Sequence, residues 1–259
     1  MNPTEIRMTE LLTEMRETYS VTGVKAEFEA EGTRMNEAIR LKEIAMSAQV
    51  GFNLKIGGCE AIRDLYDAVI LGAERIIAPM VESPYALQKF LKAAKTYLAD
   101  QKMELLINLE TITACENFDR MLQVADLSDL NGVVIGRVDL AGSLGLGRSQ
   151  IDTDERLKSL SLDMAAKAKQ RGLKVVIGGA ITAKSLEFLQ AFPAGHIDRF
   201  ETRKVIFNCP EAFQNPAIAF TKAVEFEMLW LRNKQKYYSG ISQEDQERLS
   251  MIEQRLGFN

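Results

Sequence analysis

Two acidic residues have the types and placement to hold a hard divalent cation. Glu110 closes the apolar run Met103-Glu-Leu-Leu-Ile-Asn-Leu-Glu110, and Asp139 closes Gly132-Val-Val-Ile-Gly-Arg-Val-Asp139. Each run reads as a short buried strand with its acid where a loop begins. In parallel α/β proteins such strand ends face the active site. Two carboxylates from neighbouring strand ends suit an oxygen-loving cation such as Mg²⁺ or Mn²⁺. Thr113 and Glu116 are spaced as a capping box for the helix that follows, which leaves Glu110 free of capping duty.

Other polar residues converge on the same rim. Glu29 and Glu31 end the first legible strand, and Lys55 stands between Leu54 and Ile56 in the second. A lysine within an apolar strand needs a partner, because burying a lone ammonium is costly. It can pair with Glu29 or Glu31, hold a substrate carboxylate, or form a Schiff base. Arg34 follows Gly32-Thr33 and is a candidate substrate ligand. Arg137, two residues before Asp139, shares its strand face and is placed to orient anionic oxygens. Arg203 is polar within an apolar stretch, and Gly178-Gly179-Ala-Ile-Thr182 has the form of an anion loop at a helix start. The single histidine, His196, lies in a Pro/Gly turn and reads as a loop residue without catalytic duty.

The elements that must position these residues alternate. Helical spacing covers 4–18, a strand 24–31 and a helix 34–48. Strands at 51–57, 75–81, 103–109, 133–135, 174–178 and 198–207 alternate with helices at 59–71, 84–98, 116–124, 154–170 and 183–191. Repeated βα units predict a parallel sheet, best closed as a (β/α)₈ barrel over residues 1–210. Seven strands are legible: either the eighth lies in the irregular stretch before Val24 or the barrel is imperfect, and an open doubly wound sheet is the alternative, although it would lack the GxGxxG fingerprint of dinucleotide binding. Residues 211–259 read as a helical extension, 217–236 and 243–256 around a turn at Tyr237–Gly240, able to pack on a neighbouring subunit. Phe226 and Trp230 suit such a contact.

Composition excludes several classes. The 259 residues carry 46% hydrophobic and 26% charged residues with net charge −4, the profile of an ordinary soluble protein and one that argues against nucleic acid as the main partner. No run is long enough to span a membrane, and the first residues do not form a signal peptide. Three separated cysteines suggest reduced thiols and a cytoplasmic setting.

The ordered segments Ala73-Glu-Arg-Ile-Ile-Ala-Pro-Met-Val-Glu-Ser83, Leu109-Glu-Thr111 with Glu116-Asn117, and Ile135-Gly-Arg-Val-Asp-Leu140 with Ser143-Leu-Gly145 resemble the HpcH/HpaI aldolase and citrate lyase beta-subunit family, over residues 24–207. The resemblance implies a (β/α)₈ barrel, a trimer or hexamer with exchanged C-terminal helices, and Mg²⁺ or Mn²⁺ on Glu110 and Asp139. It also implies a pyruvate-type keto acid on that metal, aided by the Gly136–Asp139 loop including Val138, and by Ser143. The activity implied is carbon–carbon cleavage through an enolate. Two positions depart from the pattern. Lys55 replaces an arginine and loses its two-pronged geometry. Gly32 aligns with the family's basic histidine, so Glu31 or Glu29 is the remaining acid/base candidate. That loss keeps two alternatives open: a Schiff-base aldolase using Lys55, and a non-catalytic keto-acid-binding or assembly member.

Overall fold

The computed structural model describes residues 1–98 and 101–256. In chain order the elements are α1 (Pro3–Tyr19), β1 (Val21–Glu27), α2 (Met35–Ser47), β2 (Gly51–Lys55), α3 (Ile62–Leu71), β3 (Arg75–Ala78), α4 (Pro84–Tyr97), β4 (Glu104–Leu109), α5 (Ile112–Met121), β5 (Gly132–Gly136), α6 (Arg137–Ser143), α7 (Glu155–Gln170), β6 (Lys174–Gly178), α8 (Leu186–Gln190), β7 (Arg199–Glu201), β8 (Val205–Asn208) and α9 (Pro216–Leu256). The eight strands close into one barrel in sequence order.

The barrel departs from eight-fold parallel order at its seam. Strands β1 to β7 are parallel, whereas β8 runs antiparallel to both β7 and β1. The segment expected as one strand over 198–207 is two, folded at Thr202-Arg203-Lys204. The Thr202 amide donates to the Val205 carbonyl at 2.9 Å, and the Val205 amide donates to Thr202 Oγ1 at 3.2 Å. A parallel return needs a crossover of roughly a dozen residues or more, so so short a turn forces reversal. The eighth strand therefore lies after the seventh and not before Val24. β1 begins at Val21 because that residue and Gly23 pair with Phe207 and Ile206 of β8.

Inside the barrel the side chains form layers along the strands. Arg75, Glu104, Lys174 and Arg199 each open a strand. Glu104 accepts from Arg75 Nε at 2.7 Å and Arg199 Nη1 at 3.0 Å, and it pairs with Lys174. Ile77, Leu106, Val134 and Val176 form a separate apolar plug. Beyond it, toward the C-terminal strand ends, lie Lys25, Glu27, Lys55, Asn108, Glu110 and Glu201, all buried. The outer faces of the strands pack against the helices in the main core.

α9 is a single 41-residue helix. The turn expected at Tyr237–Gly240 is absent, since one glycine costs a helix interior only about 1 kcal/mol and its neighbours continue the turn. Ala219, Phe220, Ala223, Phe226 and Trp230 are buried against the barrel wall and α1. Phe220 packs 5.5 Å from Phe200 across the β7–β8 seam. From Leu231 onward the helix is mostly exposed, and at 1.5 Å per residue this portion is roughly 39 Å long.

Candidate active site

Glu110 follows the last residue of β4 and is 1% exposed. Its Oε1 accepts from the Met80 amide at 2.9 Å, and its Oε2 accepts from Asn108 Nδ2 at 2.7 Å. Asn108 lies two residues earlier on the same strand face, as the alternation of a strand requires. Burial raises the Glu110 carboxyl above its usual range, and the Asp139 charge adds to this against the pull of Lys55 and the two N–H donors. Helix α5 is capped by Thr111, whose Oγ1 accepts from the Ala114 amide at 3.1 Å, rather than by the expected box at Thr113 and Glu116.

Asp139 stands in the first turn of α6, a helix where a loop was expected. Its side chain is exposed and has no hydrogen bond or ion pair among the described residues. Gly136 fits against Glu110: a Cβ there would lie 2.8 Å from Glu110 Cβ and 2.9 Å from its Oε2. Val138 is half-buried beside it, and its amide faces Gly179, where a Cβ would come within 2.7 Å.

Lys55 ends β2 with its Nζ 2.9 Å from Glu29 Oε2 and 3.5 Å from Glu110 Oε2. Burial opposes its charge, but Glu110, Glu29 and Glu27 outweigh burial and hold the ammonium above the usual lysine range. Glu29 lies on the turn that follows β1, closed by the Gly32 amide donating to the Glu29 carbonyl at 3.1 Å. Lys55, Glu29, Glu110 and Asp139 therefore share one corner of the mouth.

The remaining candidates lie elsewhere. Glu31 accepts from Arg203 Nε at 2.8 Å and pairs with Lys204, both on the β7–β8 turn. Arg34 projects into solvent beside α9, its guanidinium 4.8 Å from the Tyr238 ring centre, while Tyr238 donates to Glu37 at 2.6 Å. Arg137 is fully buried and bonds Asp152 at 2.8 Å, the Gly179 carbonyl at 2.9 Å and Ser185 Oγ at 3.1 Å. It also lies 4.6 Å over Phe188. Those contacts tie α6 to the β6–α8 loop and leave its guanidinium turned into the protein. The 178–182 loop thus presents carbonyls to Arg137. Ser143 Oγ accepts from the Ile112 amide at 2.9 Å and donates to the Leu140 carbonyl at 2.8 Å, latching α6 to α5. His196 precedes β7, at the barrel end away from the mouth. The sequence reading passed over Asn108 and Lys25. Lys25 joins Glu27 at 2.9 Å and Glu201 at 2.5 Å inside the barrel. Period-two spacing from Glu27 and Glu110 was the signal for both.

The donor set fits a divalent cation. Glu110 and Asp139 are close enough to repel, Asp139 is unpaired, and the Oδ1 of buried Asn108 lacks a partner. Among the described residues no three His, Cys, Asp or Glu side chains are grouped closely enough to hold a metal ion by themselves. Water and substrate oxygens would complete the shell, as Mg²⁺ commonly requires.

The closed eight-stranded barrel carries its buried acids at the strand ends, the face at which enzymes of this fold place their chemistry. Residues 41–185 match the HpcH/HpaI aldolase/citrate lyase family, and the chain belongs to it. That family is of the aldolase and citrate lyase type and is commonly dependent on a divalent metal. No curated protein matches the sequence significantly. The fold is shared with an HpcH/HpaI aldolase from Desulfitobacterium hafniense DCB-2, 16% identical over 68% of this chain and 84% of that one, at TM-score 0.54. It is shared with citrate synthase SbnG, 15% identical over 83% and 97%, at 0.57. A family protein from Burkholderia cenocepacia J2315 is 13% identical over 90% and 99%, at 0.55. Among the described residues no helix is long and apolar enough to cross a membrane.

Proposed function

We propose that this chain is a divalent-cation-dependent carbon–carbon lyase or aldolase that acts on a 2-keto acid or its aldol adduct. The observation that carries the reading is the meeting of buried Glu110, unpaired Asp139 and the Lys55 ammonium at one corner of the barrel mouth. Mg²⁺ or Mn²⁺ held by Glu110 and Asp139 would stabilise the negative charge that develops on the keto oxygen when the carbon–carbon bond breaks.

The chain's own residues divide the remaining work. Lys55, held protonated by its acidic neighbours, is placed to attract the substrate carboxylate. Asn108 and the Met80 amide fix the Glu110 carboxylate in one orientation. Gly136 leaves room for the Glu110 side chain itself to lie against β5. Glu29, whose ion pair among the described residues is with Lys55, lies closer to the Glu110 corner than Glu31 and is the better-placed acid/base candidate. Glu31 is engaged by Arg203 and Lys204 on the β7–β8 turn, and neither Lys55 nor Glu110 pairs with it. The exposed half of α9, with Ile241, Leu249, Ile252 and Leu256, suits docking on a second copy.

A Schiff-base mechanism is less favoured, because it needs a neutral amine and Lys55 is stabilised as an ammonium. The test is cleavage of 2-keto-acid aldol adducts by chelator-treated protein. Activity should vanish with EDTA, return with Mg²⁺ or Mn²⁺, and be absent in Glu110→Gln. Full turnover by metal-free protein, or trapping of Lys55 by borohydride with pyruvate, would overturn the reading.

A further inference from the structure

Glu110 is 1% exposed, whereas the side chain of Glu29 is 27% exposed. The two carboxylates share one ammonium, Lys55 Nζ, at 3.5 Å and 2.9 Å. Their needs differ. A carboxylate as deeply buried as Glu110 requires a countercharge. Glu29 sits on a turn at the rim, where water can take over part of that task. A divalent cation arriving at Glu110 and Asp139 would supply more positive charge than Lys55 does, and it would repel the ammonium. Lys55 already has a second and nearer partner in Glu29, at 2.9 Å against 3.5 Å for Glu110.

Resting on the metal-dependent reading above, we infer that Lys55 is a displaceable counter-ion for Glu110: it holds the buried carboxylate in the free protein, moves fully to Glu29 when a divalent cation enters, and thereby sets the affinity of the Glu110–Asp139 pair. In cation binding Glu29 acts through Lys55. It is the acceptor that makes the hand-over possible, and its removal leaves Lys55 on Glu110 alone. The consequence is a pair of opposite effects that packing cannot mimic. Neutralising Lys55 tightens cation binding, and neutralising Glu29 weakens it.

The experiment is Mn²⁺ titration of the full chain, stripped of metal and followed by electron paramagnetic resonance at mildly alkaline pH, with no substrate present. The wild type should bind one Mn²⁺ per chain, and Glu110→Gln should bind none. Lys55→Met should bind about ten-fold more tightly, the order expected for removing a like charge a few ångströms from a divalent cation in a partly solvated site. Lys55→Arg, which keeps the charge, should bind like the wild type. Glu29→Gln should bind about three- to ten-fold more weakly, by the same Coulomb reasoning. The double variant Lys55→Met/Glu29→Gln should match Lys55→Met, because Glu29 then has nothing to hold. Wild-type binding with unchanged or weaker affinity in Lys55→Met, or unchanged affinity in Glu29→Gln, overturns the hand-over. If Lys55→Met does not fold, Glu29→Gln against Lys55→Arg decides alone. Absence of Mn²⁺ binding in the wild type and in Lys55→Met alike instead overturns the metal-dependent reading itself.

Discussion

Gly136→Ala adds one methyl group to a tight contact with Glu110. The backbone there, φ −88° and ψ 90°, is open to alanine, so any penalty comes from the contact alone. The new Cβ would lie 2.8 Å from Glu110 Cβ and 2.9 Å from Glu110 Oε2. Relaxed carbon–carbon contacts fall at about 3.5–4.0 Å, so the pair must open by roughly 1 Å. The strands cannot supply that movement. β5 is paired on one side with β4, Ile135 opposite Leu109, and on the other with β6, Gly136 opposite Gly178. The Glu110 side chain must turn instead, giving up the Met80 amide and Asn108. Overpacking of this kind costs about 1–3 kcal/mol, and hydrogen bonds to a charged group contribute about 1.5–3 kcal/mol each, part of which water returns. A net loss of about 2–3 kcal/mol lowers the melting temperature of a chain this size by about 4–10 °C. Mn²⁺ affinity should fall at least ten-fold, because the carboxylate no longer faces Asp139. Gly142→Ala is the control: its Cβ meets nothing within 4 Å, and both readouts should stay near wild type. A Gly136→Ala protein that melts with the wild type and binds Mn²⁺ equally would refute the placement of Glu110 argued above.

Two other outcomes are expected. Glu104 has its carboxyl held at about 2 against an ordinary 4.5, because Lys174, Arg199 and Arg75 outweigh its burial. A lowered folded pKa means stability that is present above 4.5 and lost as pH falls toward about 2. Glu104→Gln should destabilise the chain by about 1–2 kcal/mol at neutral pH, after allowing for solvent screening, and flatten that acid limb in thermal melts; an unchanged limb would remove Glu104 from the role. Deleting residues 241–259 should reduce the assembly mass seen by light scattering while the barrel melts within a few degrees of wild type, since only exposed residues among those described are lost; an unaltered mass would exclude this tail from assembly.

The barrel and the acid pair were legible because strands leave strong local signals: apolar runs, turn residues and an acid at each end. What stayed hidden depended on distant partners. The 198–207 run is apolar at both ends and polar at Thr202–Lys204, which is equally a strand with a charged face or a hairpin turn. Only pairing with β1, far earlier in the chain, decides between them. Arg137 looked like a substrate ligand because its spacing from Asp139 suggested a shared face. The chain turns helical at that point, and Arg137 and Asp139 diverge. Lys55 was flagged by the cost of burying it, but its sharing between two carboxylates depends on a turn and on another strand.

The reversed eighth strand has a consequence for how the protein comes to exist. Until residues 205–208 are in place, β1 and β7 are both open edges, each a row of unpaired backbone groups inviting another chain. The pairs that finish the mouth, Glu31 with Arg203 and Lys204, join residues 172 and 173 positions apart. A chain emerging from the ribosome has Glu110 and Asp139 long before it has a closed barrel to hold them in. Closure is the slow, non-local step, and a short hairpin performs it. Damage to that hairpin should surface first as aggregation during synthesis, before any defect in a finished enzyme.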